Sequence, residues 1–265
     1  MIFRRIRRAV ALVLALALSI VRYWLLRLRG PVTMERHALW GQQTAKVIMA
    51  CVGIGYHIEG KPPTHGLVVS NHLSYLDVLI LATAMPCFFV AKIEIGGWPI
   101  FGWAARACGT IFLDRNSKES AMSVADQMIE RLKQPIPILL FPEGTSTDGS
   151  QLLPFHPRLI DPATSTGKQI TTAAVRYVLE DGTPEKELCW YGDESFTTHL
   201  LKVLGVAGFS AEVRFGQSRI YTDRRVAADS TQAEIAKMRE EMQKTGNSHP
   251  SDVDLSPGTP AGTRE

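Results

Sequence analysis

Short apolar runs alternate along the chain with longer stretches that are apolar on one side only. Apolar runs that end in polar residues are typical of buried strands, and the chain has four of them before residue 142, at 66–70, 87–92, 110–115 and 136–141. Further strands are predicted at 169–178 and within "FSAEVRFGQ". A capping signal followed by an apolar run predicts a helix at 75–85, and helical spacing predicts helices at 117–134 and 229–244. This alternation predicts an α/β fold with a mixed sheet flanked by helices.

The first 30 residues form a distinct basic and hydrophobic segment, with seven arginines and no acidic residue. An apolar run covers 9–21, and its extension to residue 26 gives a helix of about 27 Å, close to the thickness of a bilayer core. Arg22 lies near the far end, where a long side chain can reach the headgroups. We therefore predict a membrane anchor over 1–30, either spanning or interfacial. A cleaved signal peptide is the alternative, although "SIVRY" matches a cleavage site poorly.

The rest of the chain is weakly acidic, with 22 basic and 26 acidic residues, which argues against a nucleic-acid partner. We divide it into a second apolar helical segment (31–60), a main domain (61–245) and a disordered tail (246–265) rich in Ser, Pro, Gly and Asp. The four cysteines lack metal-ligand spacing, so no metal site is predicted. The bias of basic residues towards the cytoplasm predicts attachment to the cytoplasmic face of the cell membrane.

The stretch "NHLSYLD" follows the predicted strand at 66–70 and contains His72 and Asp77. One interpretation is purely structural, with Ser74 as the N-cap of the next helix and Asp77 in its first turn. The other is chemical, with His72 as a general base and Asp77 as the carboxylate that orients it. The two are compatible, because a helix that starts after His72 lets the chain bend so that Asp77 reaches the imidazole.

Two other predicted strands also end in polar residues, Asp114 with Arg115 and Glu143 with Gly144. In open α/β sheets, ligands bind outside the carboxyl ends of the strands. A base, a carboxylate, a cation and a glycine turn placed there suit an anionic group or a developing oxyanion. Taken singly, Arg115 is equally consistent with a surface charge, and Glu143 with a turn or an ion pair.

These motifs, in this order, resemble those of the glycerolphosphate and lysophosphatidic acid acyltransferase superfamily. "NHLSYLD" resembles its N-H-x-x-x-x-D motif, "GTIFLDR" (109–115) its second motif and "FPEGTST" (141–147) its third. The segment "GGWPIFGWAARACG" resembles the family's connecting segment. The resemblance covers about residues 60–220, and the first and third motifs together at this spacing are specific.

The resemblance implies a membrane-bound enzyme that moves a fatty acyl group from acyl-CoA or acyl carrier protein to a lipid hydroxyl. It implies that His72 is the general base and that Asp77 holds its tautomer, with no covalent intermediate and no cofactor. It further implies that the substrate-binding residues are Arg115, Glu143, Gly144, Thr145, Ser146 and Arg158. The leading prediction is 1-acyl-sn-glycerol-3-phosphate as acceptor and phosphatidic acid as product.

The sequence departs from the family pattern at Ser146, where an arginine linked to the acceptor phosphate is usual. A serine hydroxyl cannot replace a bidentate guanidinium, although Arg158 or His156 can compensate. Thr171 and Thr172 stand where the fourth motif normally carries proline. These changes keep two alternatives open. One is the same chemistry on another acceptor, such as lyso-ornithine lipid, and the other is a catalytically silent lipid-binding module.

Overall fold

The structure of the chain is a computed structural model that describes residues 1–114 and 117–246. The predicted tail (246–265), apart from its first residue, and the predicted binding residue Arg115 lie outside the described residues.

A seven-stranded sheet forms the centre of the fold, in the spatial order β1-β7-β6-β2-β5-β3-β4. Parallel pairing joins β6, β2, β5, β3 and β4, whereas β7 runs antiparallel to β6 and carries β1 in parallel at the edge. The strands are β1 Gly55–Glu59, β2 Leu67–Ser70, β3 Phe88–Lys92, β4 Ile111–Leu113, β5 Ile138–Leu140, β6 Ile170–Leu179 and β7 Phe209–Phe215. The predicted mixed α/β sheet is confirmed, and β2 lies at its middle.

Helices cover both faces of this sheet. In chain order they are α1 Ile2–Leu28, α2 Met34–Val52, α3 Leu76–Ala84, α4 Ile93–Gly96, α5 Pro99–Ala107, α6 Lys118–Leu132, α7 Pro157–Ser165, α8 Phe196–Gly205 and α9 Arg224–Gly246, with a 3₁₀ turn at Glu185–Leu188.

Side chains that alternate along each strand divide the interior into two cores, because successive residues of a strand point to opposite faces. Val68 of β2 and Leu139 of β5 belong to the core beneath α1, α2, α3 and α8. Their neighbours Leu67 and Ile138 belong to the core beneath α6, α7 and α9. All four residues of β2 are buried, as expected for a parallel strand covered on both faces.

The predicted anchor helix α1 packs against the domain along most of its length. Arg8 donates to the carbonyl of Val206 at 2.7 Å near one end, and Tyr23 packs edge-on against Trp40 near the other. Ala15, between them, is 2% exposed. The opposite side of α1 is exposed and apolar from Val10 to Val21, which leaves a hydrophobic face with no protein partner in the described chain.

Two local elements differ from the sequence prediction. Residues 55–59 form the edge strand β1, so the segment 31–60 is not helical throughout, because Gly53 ends α2 with a left-handed φ of 72°. Residues 157–165 form α7, which the sequence analysis did not predict. Its proline at the first turn needs no donor there, but Pro162 breaks the usual helical signal.

Candidate active site

The polar loop after β2 holds His72 and Asp77 in direct contact. The Nδ1 atom of His72 lies 2.9 Å from Oδ2 of Asp77, and the same oxygen accepts the backbone N–H groups of Leu73 at 2.6 Å and Ser74 at 3.0 Å. The Asp77 side chain is fully buried, while that of His72 is 20% exposed. The predicted pairing of these two residues is therefore present, and the imidazole is open on one side only.

The start of α3 explains how Asp77 reaches back to His72. The helix begins at Leu76 with Tyr75 at the cap position, one residue later than predicted, and Ser74 is not the N-cap. The Ser74 hydroxyl instead accepts from the N–H of Leu76 at 3.3 Å, and Asp77 closes the turn by accepting from the N–H of Ser74. The Asp77 carboxylate thus both closes the turn that precedes the helix and orients the imidazole.

Both carboxylate oxygens of Glu143 accept backbone N–H groups, one of them from His72. Its Oε1 accepts the N–H of His72 and its Oε2 accepts the N–H of Leu153, each at 2.8 Å. Burial raises the pKa of this carboxyl, and the two N–H donors partly offset the effect. These contacts hold the His72 loop, and the predicted contact of Glu143 with substrate stays a prediction.

Replacing Glu143 with glutamine is expected to lower kcat by about 10- to 100-fold, on the scale of hydrogen bonds to a charged group. The amide keeps one acceptor oxygen but turns an NH₂ towards the second backbone N–H, so the His72 loop shifts. Glu130→Gln, on the exposed side of α6, is the matched control and should keep wild-type kinetics. Steady-state kinetics measure both, and a raised acceptor KM at unchanged kcat would instead support direct substrate binding.

Trp190 joins the His72 loop to the third motif. Its N–H donates to the carbonyl of Leu73 at 2.8 Å, and its own carbonyl accepts from the hydroxyl of Ser146. Its indole N–H donates to the carbonyl of Glu194 at 2.7 Å. Ser146 therefore anchors a backbone segment at the position where the family pattern has a phosphate-binding arginine.

A cavity of about 370 Å³ opens beside His72. Its lining is mostly apolar and comes from helices α1, α2, α3, α5 and α8 together with the ends of β3 and β5, including Leu12, Ile48, Leu79, Phe101, Leu204 and Phe141. The ring of Phe141 stacks on that of His72, with centroids 4.1 Å apart. The site combines a polar end at the imidazole with an apolar interior.

The structure brings together only part of the predicted binding set. Gly144, Thr145 and Ser146 line the cavity with His72, and Gly144 adopts a left-handed φ of 75° that favours glycine. Arg158 is exposed at the start of α7 and is not among the described residues that line the cavity.

Sequence reasoning missed two residues of this site. Lys92 lines the cavity from the carboxyl end of β3. The strand "CFFVAK" ends in this polar residue, and the same signal, a polar residue at the end of a strand, identified the other site residues. Tyr177 of β6 donates its phenol hydrogen to Oδ1 of Asp77. Since Tyr177 follows Asp77 by 100 residues, no local pattern signals this contact.

Comparison with known proteins agrees with the motifs. The family model described as "Acyltransferase" matches residues 54–176. The lyso-ornithine lipid O-acyltransferase of Rhodobacter capsulatus is 38% identical over 167 residues, which are 61% of this chain and 60% of that protein. The 1-acyl-sn-glycerol-3-phosphate acyltransferase of Neisseria meningitidis serogroup B is 30% identical over 171 residues, which are 63% of this chain and 67% of that protein.

A solved structure shares the fold. The crystal structure of the 1-acyl-sn-glycerophosphate (LPA) acyltransferase from Thermotoga maritima superimposes with a TM-score of 0.65 at 16% identity, covering 91% of this chain and 98% of that one. The predicted family is confirmed. The chain belongs to the acyltransferase family that includes lyso-ornithine lipid and 1-acylglycerol-3-phosphate acyltransferases.

Proposed function

We propose that the protein transfers a fatty acyl group from an acyl thioester, acyl-CoA or acyl carrier protein, to the hydroxyl of a lyso-lipid. His72 Nε2 takes the hydroxyl proton as the oxygen attacks the thioester carbonyl carbon. The tetrahedral intermediate then collapses, the carbon–sulfur bond breaks, and the imidazolium returns the proton to the departing thiolate. The products are an ester and a free thiol, with the substrate hydroxyl in the place of a serine nucleophile.

The observation that carries this proposal is the contact between His72 Nδ1 and Asp77 beside an apolar cavity. Because Asp77 accepts from Nδ1, the ring presents its other nitrogen as the acceptor for a proton. Because Asp77 is fully buried, its negative charge lies in a low-dielectric site and stabilises the imidazolium strongly.

The cavity supports a lipid substrate. Fatty acyl chains gain about 0.8 kcal/mol for each methylene removed from water, so a mostly apolar cavity of this size favours an acyl chain over a polar ligand. We assign the polar end near Thr145, Ser146 and Lys92 to the reacting groups and the acceptor headgroup.

For the acceptor we propose lyso-ornithine lipid first. At position 146 the side chain is neutral and its hydroxyl is engaged by the Trp190 carbonyl. The relative from Rhodobacter capsulatus, at 38% identity, is named for that acceptor. The second candidate is 1-acyl-sn-glycerol-3-phosphate, which the three motifs favour and for which the relative from Neisseria meningitidis is named.

The protein associates with membranes, and α1 is the element that suits this role. It is long and apolar enough to cross a bilayer, yet it packs lengthwise on the domain. We propose that α1 lies in the interface with its outward side in lipid rather than spanning the bilayer. The basic N-terminus and cytoplasmic acyl thioesters support placement on the cytoplasmic face of the cell membrane.

An acceptor panel tests the proposal. Purified full-length protein in detergent receives acyl-CoA or acyl carrier protein thioester with lyso-ornithine lipid, with 1-acyl-sn-glycerol-3-phosphate or with neither. Released thiol and the acylated product are measured. We expect acceptor-dependent turnover that is faster with lyso-ornithine lipid. Ser146→Arg should move the preference towards the phosphate acceptor by about 10-fold or more, because it adds a phosphate-binding guanidinium.

Ser146→Ala is the matched control, because it removes the hydroxyl bond to Trp190 without adding charge. It should lower turnover with both acceptors alike. Faster turnover with 1-acyl-sn-glycerol-3-phosphate in the wild type would replace the first acceptor with the second. Binding of lyso-lipid without thiol release would overturn acyl transfer and leave the lipid-binding module.

A further inference from the structure

The two oxygens of the Asp77 carboxylate have different surroundings. Oδ2 receives the His72 ring and two backbone N–H groups, whereas Oδ1 receives the hydroxyl of Tyr177. A carboxylate that accepts donors on both oxygens cannot rotate about its own axis without breaking one set. The Tyr177 hydroxyl therefore fixes the plane in which Asp77 meets the imidazole.

Tyr177 is itself held rigidly. It is 1% exposed, its backbone N–H donates to Glu185 at 2.8 Å, and its ring packs edge-on against Phe209 with centroids 5.9 Å apart. Burial, together with the nearby charge of Asp77, raises the pKa of its phenol. The hydroxyl thus keeps its hydrogen and acts as a donor to Asp77.

We propose that Tyr177 is a positioning residue for the acyl transfer, because its phenol fixes the Asp77 carboxylate and sets how strongly His72 holds a proton. The inference rests on the proposed function of the His72 and Asp77 pair. Tyr177 is not among the described residues that line the cavity, and it acts through Asp77.

The direction of the effect follows from the charge on Asp77. Each donor shares part of the negative charge, and hydrogen bonds inside a protein polarise one another. When the Tyr177 hydroxyl is removed, more of this charge acts on His72 and favours the imidazolium. The ring then holds its proton to a higher pH, where it cannot serve as a base.

Other titratable groups surround the pair, and replacing the Tyr177 hydroxyl leaves their side chains in the protein. Glu143 faces His72 from the loop after β5, and Lys92 lines the same cavity from β3. Behind Tyr177 lie Cys189, Glu185 and Arg239, and Asp148 is a more distant charge. The wild type and the variant therefore carry the same other titratable groups, and the comparison isolates the loss of one hydroxyl.

Tyr177→Phe is the test, because it removes one oxygen and keeps the ring. We expect kcat to fall about 10-fold, the scale of one hydrogen bond to a charged group, with acceptor KM unchanged. In the pH profile of kcat, the acid limb should move to higher pH. Tyr56→Phe, on the edge strand β1 with an exposed ring, is the matched control and should keep both the rate and the profile.

A second measurement separates this inference from the proposed function. Ring-carbon NMR of His72 in detergent, without substrate and assigned by loss of the signal in His72→Ala, follows protonation of the imidazole directly. In Tyr177→Phe the ring should protonate at a higher pH than in the wild type, whether or not any acceptor is turned over. Coinciding His72 titrations in the two proteins would overturn the inference.

Incorporating 3-fluorotyrosine provides a variant that keeps every side chain in place. Fluorine makes the phenol a stronger donor, so the acid limb should move to lower pH. In the Tyr177→Phe protein, incorporating 3-fluorotyrosine should not move the acid limb, because the responsible hydroxyl is absent. A fluorotyrosine effect that persists in this background would assign the shift to another tyrosine and contradict the role of Tyr177.

Discussion

Replacing His72 with alanine is expected to lower kcat by about 100- to 10,000-fold, because general base catalysis contributes about 10²- to 10⁴-fold. The ring contacts Asp77 and Phe141, and its loop is held by backbone bonds to Glu143 and Thr147 that do not involve the imidazole. The loop should therefore keep its shape when the ring is removed, and the loss should fall on the chemical step. Thiol release under saturating acyl donor and acceptor measures it.

Two further variants sharpen this result. Asp77→Asn should lower kcat by about as much as His72→Ala, because an amide donor in place of Oδ2 favours the wrong tautomer of the ring. His65→Ala is the matched control, since this exposed histidine precedes β2 and lies away from the cavity. Acceptor-dependent turnover within about tenfold of wild type in His72→Ala would rule out His72 as the general base.

Deleting residues 1–30 is expected to abolish the folded enzyme, because α1 supplies part of the domain's interior. Ala15 and Tyr23 are buried, and the Tyr23 ring lies against Trp40 and Trp103 at centroid distances of 5.1 and 5.3 Å. Leu12 lines the cavity. Without α1, these aromatic rings and the cavity wall face solvent, and their burial no longer stabilises the fold. Thermal unfolding and activity of the purified protein measure the loss.

An outward-facing variant separates packing from membrane binding. Val13 and Leu14 are each 64% exposed on the apolar side of α1. The double variant Val13→Lys with Leu14→Lys should keep the thermal midpoint and the activity towards substrate in detergent, but lose binding to vesicles. An active, folded protein without residues 1–30 would show instead that α1 is a separable anchor.

The extent of the sequence prediction can be judged from the elements around the site. The helix at 76–84 and the strands that flank it were predicted because each is an apolar run bounded by polar, glycine or proline residues, a pattern that indicates local burial. The strand β1 was missed because Gly55–Glu59 is a half-exposed edge strand that follows directly on an apolar helix. The helix α7 was missed because two prolines mask its periodicity.

In the candidate site too, contacts between residues close in sequence were predicted and contacts between distant residues were not. Asp77 lies five residues from His72, so their pairing depends only on one loop and the start of one helix. The spacing of the motif was therefore enough to predict the pairing. Glu143 follows His72 by 71 residues. The order of the motifs predicted that Glu143 lies near the site, but it did not predict that Glu143 binds the backbone N–H of His72. The hydroxyl of Ser146 contacts Trp190, 44 residues later, which no motif predicts.

The sequence by itself determined the α/β class, the family and the His72 and Asp77 pair, because each depends on local periodicity or on motifs within one segment. The tertiary structure decided that α1 forms part of the domain, that Trp190 receives the Ser146 hydroxyl, and that Tyr177 binds Asp77. These last contacts join residues far apart in the chain. The order of strands in the sheet and the packing of helices on its faces set such contacts, and a single sequence carries no local signal for them.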